Sequence, residues 1–253
     1  MKRIGIIGVG EIARAIVTGL CHGDDTAPQI SLSPRGAHTA HELATRYDTV
    51  QIRPGNQDVI HHSDIILIAV RGADRHQALA GLTVPHDKTI INVMAGVPND
   101  DLRQTLDTKA TLVRAIPLPA VRERRSVTVT YPAHPDADEL FTPLGGTQPV
   151  ADEAAFNVYS ALTGTLTTHY AYLAALATWA TTHGVDPDDA DRYIRGLFQA
   201  VGRSLDDSRT LAQLAADHET PGGSNEHVRT TWFDPTNTQA LTTTLDTLLT
   251  RLT

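Results

Sequence analysis

The chain has 253 residues, 41% of them hydrophobic and 20% charged, with 18 glycines and 14 prolines, which excludes collagen-like and low-complexity classes and leaves room for a sizeable core. Its 21 Lys and Arg against 29 Asp and Glu give a formal charge of -8, a field that repels nucleic acid and anionic membranes, so an anionic ligand must be captured locally. The single cysteine excludes an internal disulfide framework and points to a reducing cytoplasm.

The start, Met1-Lys2-Arg3-Ile4-Gly5-Ile6-Ile7-Gly8, is too brief and too glycine-broken for a signal peptide. The longest apolar stretch, Tyr170 to Ala177, falls well short of the ~18 residues of a membrane span. A cytoplasmic, soluble protein is expected.

Apolar runs of strand length alternate with helical patterns through the first 151 residues, the mark of a doubly wound α/β sheet of Rossmann type. Arg3 to Ile7 reads as the first strand. Directly after it comes Gly8-Val9-Gly10-Glu11-Ile12-Ala13, and then a helical pattern to Leu20. Gly8 permits a tight turn, Gly10 lets a pyrophosphate approach the backbone, and Ala13 lets the helix pack closely on the strand. The amides opening the helix, at Glu11 and Ile12, face the phosphates. The Glu11 carboxylate suits a helix start but repels a pyrophosphate, so it should point away.

Further strands are read at Gln29 to Ser33, Thr49 to Ile52, Asp64 to Val70, Thr89 to Val93, Thr111 to Ile116 and Ser126 to Tyr131. Two of them, Ile65-Ile66-Leu67-Ile68-Ala69-Val70 and Ile90-Ile91-Asn92-Val93, are almost continuously apolar and belong in the sheet centre. Cofactor choice is made after the second strand. Asp24 and Asp25 precede that strand and should sit at its far end. Ser33-Pro34-Arg35-Gly36 follows it, a hydroxyl and a guanidinium suited to a 2′-phosphate, which favours NADP(H). The alternative is that Arg35 merely caps a solvated loop. Ala69, Val70 and Arg71, then Ala95 and Gly96, then Pro117 and Leu118 follow central strands and are candidates to flank nicotinamide and substrate.

From about Asp152 the strand-like runs vanish, and residues 152–253 read as an all-helical second domain broken at Gly184-Val185-Asp186-Pro187 and Thr220-Pro221-Gly222-Gly223. The helix from Leu166 to Thr182 is apolar on more than one face and needs cover, for which a homodimer of interlocked helices is expected.

With these residues in view, the sequence resembles the pyrroline-5-carboxylate reductase family, enzymes of proline biosynthesis that reduce a cyclic imino acid with NAD(P)H. Gly8 to Leu20 resembles the family's glycine loop and first helix. Gly55-Asn56 is similar to its cofactor-binding Asp-Asn pair, Asp64 to Arg71 to its strand ending in Val-Lys-Pro, Met94-Ala95-Gly96-Val97 to its Ala-Gly turn, and Val113-Arg114-Ala115-Ile116-Pro117 to its Arg-x-Met-Pro segment. Ala161-Leu162-Thr163-Gly164 and Thr220-Pro221-Gly222-Gly223-Ser224 resemble its Ala-x-Ser-Gly and Ser-Pro-Gly-Gly-Thr stretches. The resemblance implies cofactor contacts at Asn56, a crossed-helix dimer, and substrate contacts at Pro117 and along the loop. Departures gather on the substrate side: Leu118 stands where the family has Asn, His169 where it has Tyr, and Asn225 where it has the second Thr of its loop, a proposed proton donor.

Hydride delivery to an imine carbon works best when the nitrogen is protonated, so the site needs an acid within reach or must bind the iminium. The turn from Pro221 to Asn225, leading into a helix, presents amides suited to a carboxylate, with Gly222 and Gly223 giving the concavity. Thr220, Ser224 and Asn225 are the candidate catalytic side chains, although Asn is a poor proton donor. A plain capped helix start is the alternative. His169 and His227 could assist protonation, among 12 histidines. His61-His62 with Asp64, and His218-Glu219, lack metal-site spacing, and no metal is expected. Cys21 reads as a small buried hydrophobe, and Tyr170, Tyr172 and Trp179 as helix-packing residues. The leading reading is an NADPH-dependent reductase of a small carboxylated cyclic imine. Reduction of another imine, a carbonyl or a deazaflavin, or a dinucleotide-binding regulatory protein without activity, are the alternatives.

Overall fold

The computed structural model describes residues 1–23 and 27–252. Asp24 and Asp25, weighed above as ribose ligands, lie outside the described residues. Eight strands form one sheet: β1 (Ile4–Ile7), β2 (Ile30–Leu32), β3 (Val50–Ile52), β4 (Ile65–Ile68), β5 (Thr89–Asn92), β6 (Thr111–Ile116), β7 (Thr128–Tyr131) and β8 (Thr147–Pro149). Their order is β3-β2-β1-β4-β5-β6-β7-β8, with the first six parallel. This is the doubly wound Rossmann order, whose direction reverses between β1 and β4 and leaves a crevice at their carboxyl ends.

Seven helices accompany the sheet: α1 (Glu11–Leu20), α2 (Ala37–Arg46), α3 (Asn56–His61), α4 (Arg75–Leu79), α5 (Asn99–Leu106), α6 (Pro135–Phe141) and α7 (Glu153–Leu162). The two-residue period of the strands divides the core between the two faces. Ile65 and Leu67 of β4 join Ile4 and Ile6 under α1, α2 and α6, while Ile66 and Ile68 join Ile90 and Leu112 under α3 and α5. Burying Ile16, Val17 and Leu20 of α1 contributes roughly 1.5–3 kcal/mol each, which fixes the glycine turn that opens this helix.

The far ends of the strands are tied by charge. Arg3 grips Asp64 with Nη2 at 2.6 Å and Nε at 3.1 Å, and the hydrogen bond from this guanidinium holds the Asp64 carboxyl down to about 2. Lys2 Nζ and the Thr89 hydroxyl both donate to the buried Asp136 carboxylate, each at 2.6 Å. Burial pushes that carboxyl up, but these two bonds prevail and its pKa falls below the ordinary value.

The strands read from the sequence are all present, but two features differ. β7 returns antiparallel to β6, and β8 was not expected. β8 is three residues long, ends in Pro149 and pairs only with β7 at the sheet edge, so it carries none of the apolar run that marks a covered strand.

Backbone contacts divide the chain into Met1–Ser160 and Ala161–Thr253, nine residues beyond the expected boundary after residue 151. The reason is Arg114 of β6. Its side chain is only 2% exposed, donates to Glu153 at 2.7 Å and Asn157 at 3.0 Å, and lies 4.3 Å from the Phe156 ring centre. Burial pushes this guanidinium's pKa down and Glu153 opposes the shift. The first two turns of α7 are thereby bound to the sheet.

The second unit is helical throughout, as expected: α8 (Leu166–Thr182), α9 (Pro187–Arg203), α10 (Leu211–Asp217), α11 (Ser224–Thr231) and α12 (Pro235–Leu252). The two expected breaks fall between α8 and α9 and between α10 and α11. Two more occur, where Thr210 and Gln213 form a capping box at α10 and where the Asp234 carboxylate accepts the Asn237 amide ahead of Pro235. None of α8 is buried, and Tyr170, Trp179 and Tyr193 are 70%, 64% and 70% exposed. Among the described residues no helix is long and apolar enough to cross a membrane.

Candidate functional site

The first unit places its candidate residues around the carboxyl end of β1. Gly8 turns there with φ +97°, and a Cβ on it would stand 2.7 Å from the Val70 nitrogen, so only glycine closes this turn against the end of β4. Gly10, by contrast, faces open space, with nothing within 4 Å of where a Cβ would lie. That is the bare backbone a pyrophosphate needs beside the first amides of α1.

A cleft of about 310 Å³ opens beside this turn, lined by Gly8, Ser33, Arg35, Asn56 and Val70 together with Ile7, Gln77 and Ala78. Five sequence-nominated residues thus share one cavity. Their roles within it are not uniform. Ser33 is wholly buried, and its hydroxyl oxygen accepts the Gly8 amide at 2.9 Å, so it braces the glycine turn. Asn56 donates to the Ala78 carbonyl at 2.8 Å and holds α4 against the head of α3. Arg35 is half-exposed and reaches Asp74, with Nη2 to Oδ2 at 3.1 Å, and Arg71 Nε meets the same oxygen at 3.2 Å. Glu11 is turned to solvent and pairs with Arg14 one helical turn on, at 3.5 Å.

Ala95 and Gly96 are exposed on the next turn along the sheet. Its conformation comes from Asn92, which is buried, donates to the Val97 carbonyl at 2.8 Å and accepts the Met94 amide at 3.0 Å. A Cβ on Gly72 would meet the Val97 side chain at 3.0 Å, so the loops after β4 and β5 touch. Pro117 is buried and Leu118 half-buried at the end of β6.

In the second unit, the loop before α11 satisfies some of its polar groups from within. The Gly222 amide donates to Glu226 at 2.6 Å, the Gly223 amide to the Thr220 carbonyl at 2.7 Å, and Asn225 Nδ2 to the His218 carbonyl at 2.7 Å. Thr220, Ser224 and Asn225 are exposed. His169 packs edge-on against Phe198, 6.4 Å between ring centres, and stands in an aromatic group on α8 and α9. Among the described residues no three His, Cys, Asp or Glu gather to hold a metal ion.

Sequence reasoning missed Asp74, Asn92 and Glu226. Asn92 carried a signal, being the one polar residue in the run Ile90-Ile91-Asn92-Val93. The other two lie outside any motif, and only the fold brings Asp74 to Arg35.

Residues 3–96 match the family model described as NADP oxidoreductase coenzyme F420-dependent. The chain is similar to pyrroline-5-carboxylate reductase 2 of Bacillus subtilis, 24% identical over 240 residues that cover 89% of this chain and 85% of that protein. Its fold is shared with 1-pyrroline-5-carboxylate reductase from Streptococcus pyogenes, at a TM-score of 0.79 and 21% identity over 98% of both chains. A reductive aminase from Aspergillus terreus, solved with NADPH and ethyl-5-oxohexanoate, aligns at a TM-score of 0.62 and 17% identity over 86% of this chain and 78% of that one.

Proposed function

We propose that this chain, a relative of the pyrroline-5-carboxylate reductases, is an NADPH-dependent reductase that delivers hydride to the C=N bond of a small carboxylated cyclic imine of the pyrroline-5-carboxylate type. The observation that carries the reading is the cleft at the end of β1, lined by Gly8, Ser33, Arg35 and Asn56, with the bare Gly10 and the head of α1 following directly on the Gly8 turn.

These residues fit a phosphorylated dinucleotide. The α1 amides and Gly10 hold the pyrophosphate, Arg35 with Arg71 holds the 2′-phosphate, and Asn56 lines the cleft beside them. When bound, the nicotinamide supplies the hydride. The Ala95-Gly96 turn, stiffened by Asn92, would flank the nicotinamide at the carboxyl ends of the central strands. On the substrate side, the loop from Thr220 to Asn225 offers backbone amides to the acid group. Glu226 already occupies one of them, which supports a loop built for carboxylates and one that its own side chain contests. No side chain in that loop is a strong acid, so the imine enters as its protonated iminium. Exposed apolar residues along α8 and α9 support a homodimer.

The match over residues 3–96 favours one second reading, a reductase whose partner in hydride transfer is a deazaflavin. The test is oxidation of NADPH and NADH by the purified protein with five- and six-membered cyclic imino acids and with a deazaflavin. Turnover with an imino acid, faster with NADPH, is expected. A protein inert to both rings refutes the first reading, and turnover with the deazaflavin alone establishes the second.

A further inference from the structure

We propose that Asp74 sets how strongly this cleft prefers the phosphorylated carrier, by competing with the 2′-phosphate for Arg35. The inference rests on the reading of the cleft as an NADP(H) site. Arg35 follows β2 and Asp74 follows β4, the two neighbours of β1 in the sheet, so their ion pair spans the carboxyl end of β1 above the glycine turn. A single oxygen, Asp74 Oδ2, receives both Arg35 Nη2 at 3.1 Å and Arg71 Nε at 3.2 Å.

Two guanidinium groups share one carboxylate, leaving one surplus positive charge at the cleft edge. In the free protein Asp74 holds the place a phosphate would take against Arg35. The pair is weak enough to yield, because Arg35 is 53% and Arg71 84% exposed and exposed pairs gain little from their Coulomb attraction. A 2′-phosphate carries about -1.5 to -2 charges, so it outbids a lone carboxylate for Arg35 but then faces repulsion from Asp74. A ribose 2′-hydroxyl meets no such repulsion, and Asp74 can accept its hydrogen bond. This is the acidic partner that the segment after β2 lacks, contributed by the loop after β4. Asp74 therefore weakens NADPH and helps NADH, narrowing a preference that Arg35 and Arg71 would otherwise make wide.

Calorimetry on the full chain with NADPH and with NADH tests this. In Asp74→Asn the NADPH Kd should fall about two- to fivefold, the worth of an exposed ion pair, while NADH binds no better. Adenosine 2′-monophosphate should reproduce the gain and adenosine 5′-monophosphate should not. Asp74→Glu, which keeps the charge, should keep the wild-type ratio, and Asp74→Ser serves the same test as Asp74→Asn if the latter does not fold. A neutral variant with an unchanged or smaller NADPH preference overturns the inference and leaves the cofactor reading standing. Wild-type protein that releases no heat with NADPH overturns that reading itself.

Discussion

The Ser33 hydroxyl accepts the Gly8 amide at 2.9 Å from a fully enclosed position, joining the end of β2 to the turn that ends β1. Ser33→Ala would leave that amide buried without its partner, at a cost of about 1–3 kcal/mol. Since the damage falls on the turn proposed to hold the pyrophosphate of either carrier, NADPH and NADH should weaken by the same factor. Paired titrations decide: loss confined to NADPH would mean that Ser33 meets the 2′-phosphate.

Glu226 offers a second handle, because its carboxylate occupies the Gly222 amide at 2.6 Å. Glu226→Gln retains an acceptor for the amide and removes the charge that repels an incoming acid group. The KM of a carboxylated cyclic imine should drop about two- to fivefold, with that of an uncharged imine unmoved. Equal changes for the two substrates would show that the loop does not read the acid.

Arg114 is the buried cation that secures α7 to the sheet. Removing its half-exposed partner in Glu153→Ala leaves the guanidinium with Asn157 alone, and the midpoint of chemical unfolding should fall by about 1–3 kcal/mol equivalent. A change below ~0.5 kcal/mol would show that Asn157 and the Phe156 ring suffice.

Exposed Trp179 and Tyr193 border an apolar groove of about 540 Å³ between α8 and α9. The chain should sediment as a dimer at micromolar concentration, and Trp179→Asp with Tyr193→Asp should shift it to the monomer. A wild-type monomer at that concentration would remove the dimer from the account.

The Arg3–Asp64 pair predicts the acid limb of stability. Asp64 has a folded pKa of about 2, below the ordinary carboxylate value near 4. Its contribution is therefore fully present above the unfolded value and is lost as pH falls towards 2. Both side chains are partly exposed, so the effect is small. The stability gap between wild type and Asp64→Asn, followed by denaturant midpoints, should be flat above about pH 5 and close between about 4 and 2.

Periodicity made the centre of the sheet legible. Ile65 to Ile68 and Ile90 to Val93 read as continuous or almost continuous apolar runs, and both strands are buried along their length. The antiparallel return of β7 was not legible, since its four residues are too few for their alternation to declare a direction, nor was β8, whose three residues include a proline at the edge. In the candidate site, the places of Gly8, Gly10 and Arg35 were legible because a turn, a bare approach and a cation each demand a residue type at a fixed place after a strand. Asp74 was invisible for the opposite reason. It stands 39 residues from Arg35, and only the crossing of β1 by the loops on either side brings them together. Ser33 was found in place, but its task could be seen only once its oxygen was located against Gly8.

Gly36 adopts φ +86°, and a Cβ on it would collide with the Val9 carbonyl oxygen. The residue after Arg35 thus leans on the very turn that Gly8 begins. An engineer who replaces Arg35 must therefore leave position 36 without a side chain. Lengthening or stiffening that neighbour would distort the Gly8 turn, and with it the proposed diphosphate site, before it altered any choice of coenzyme.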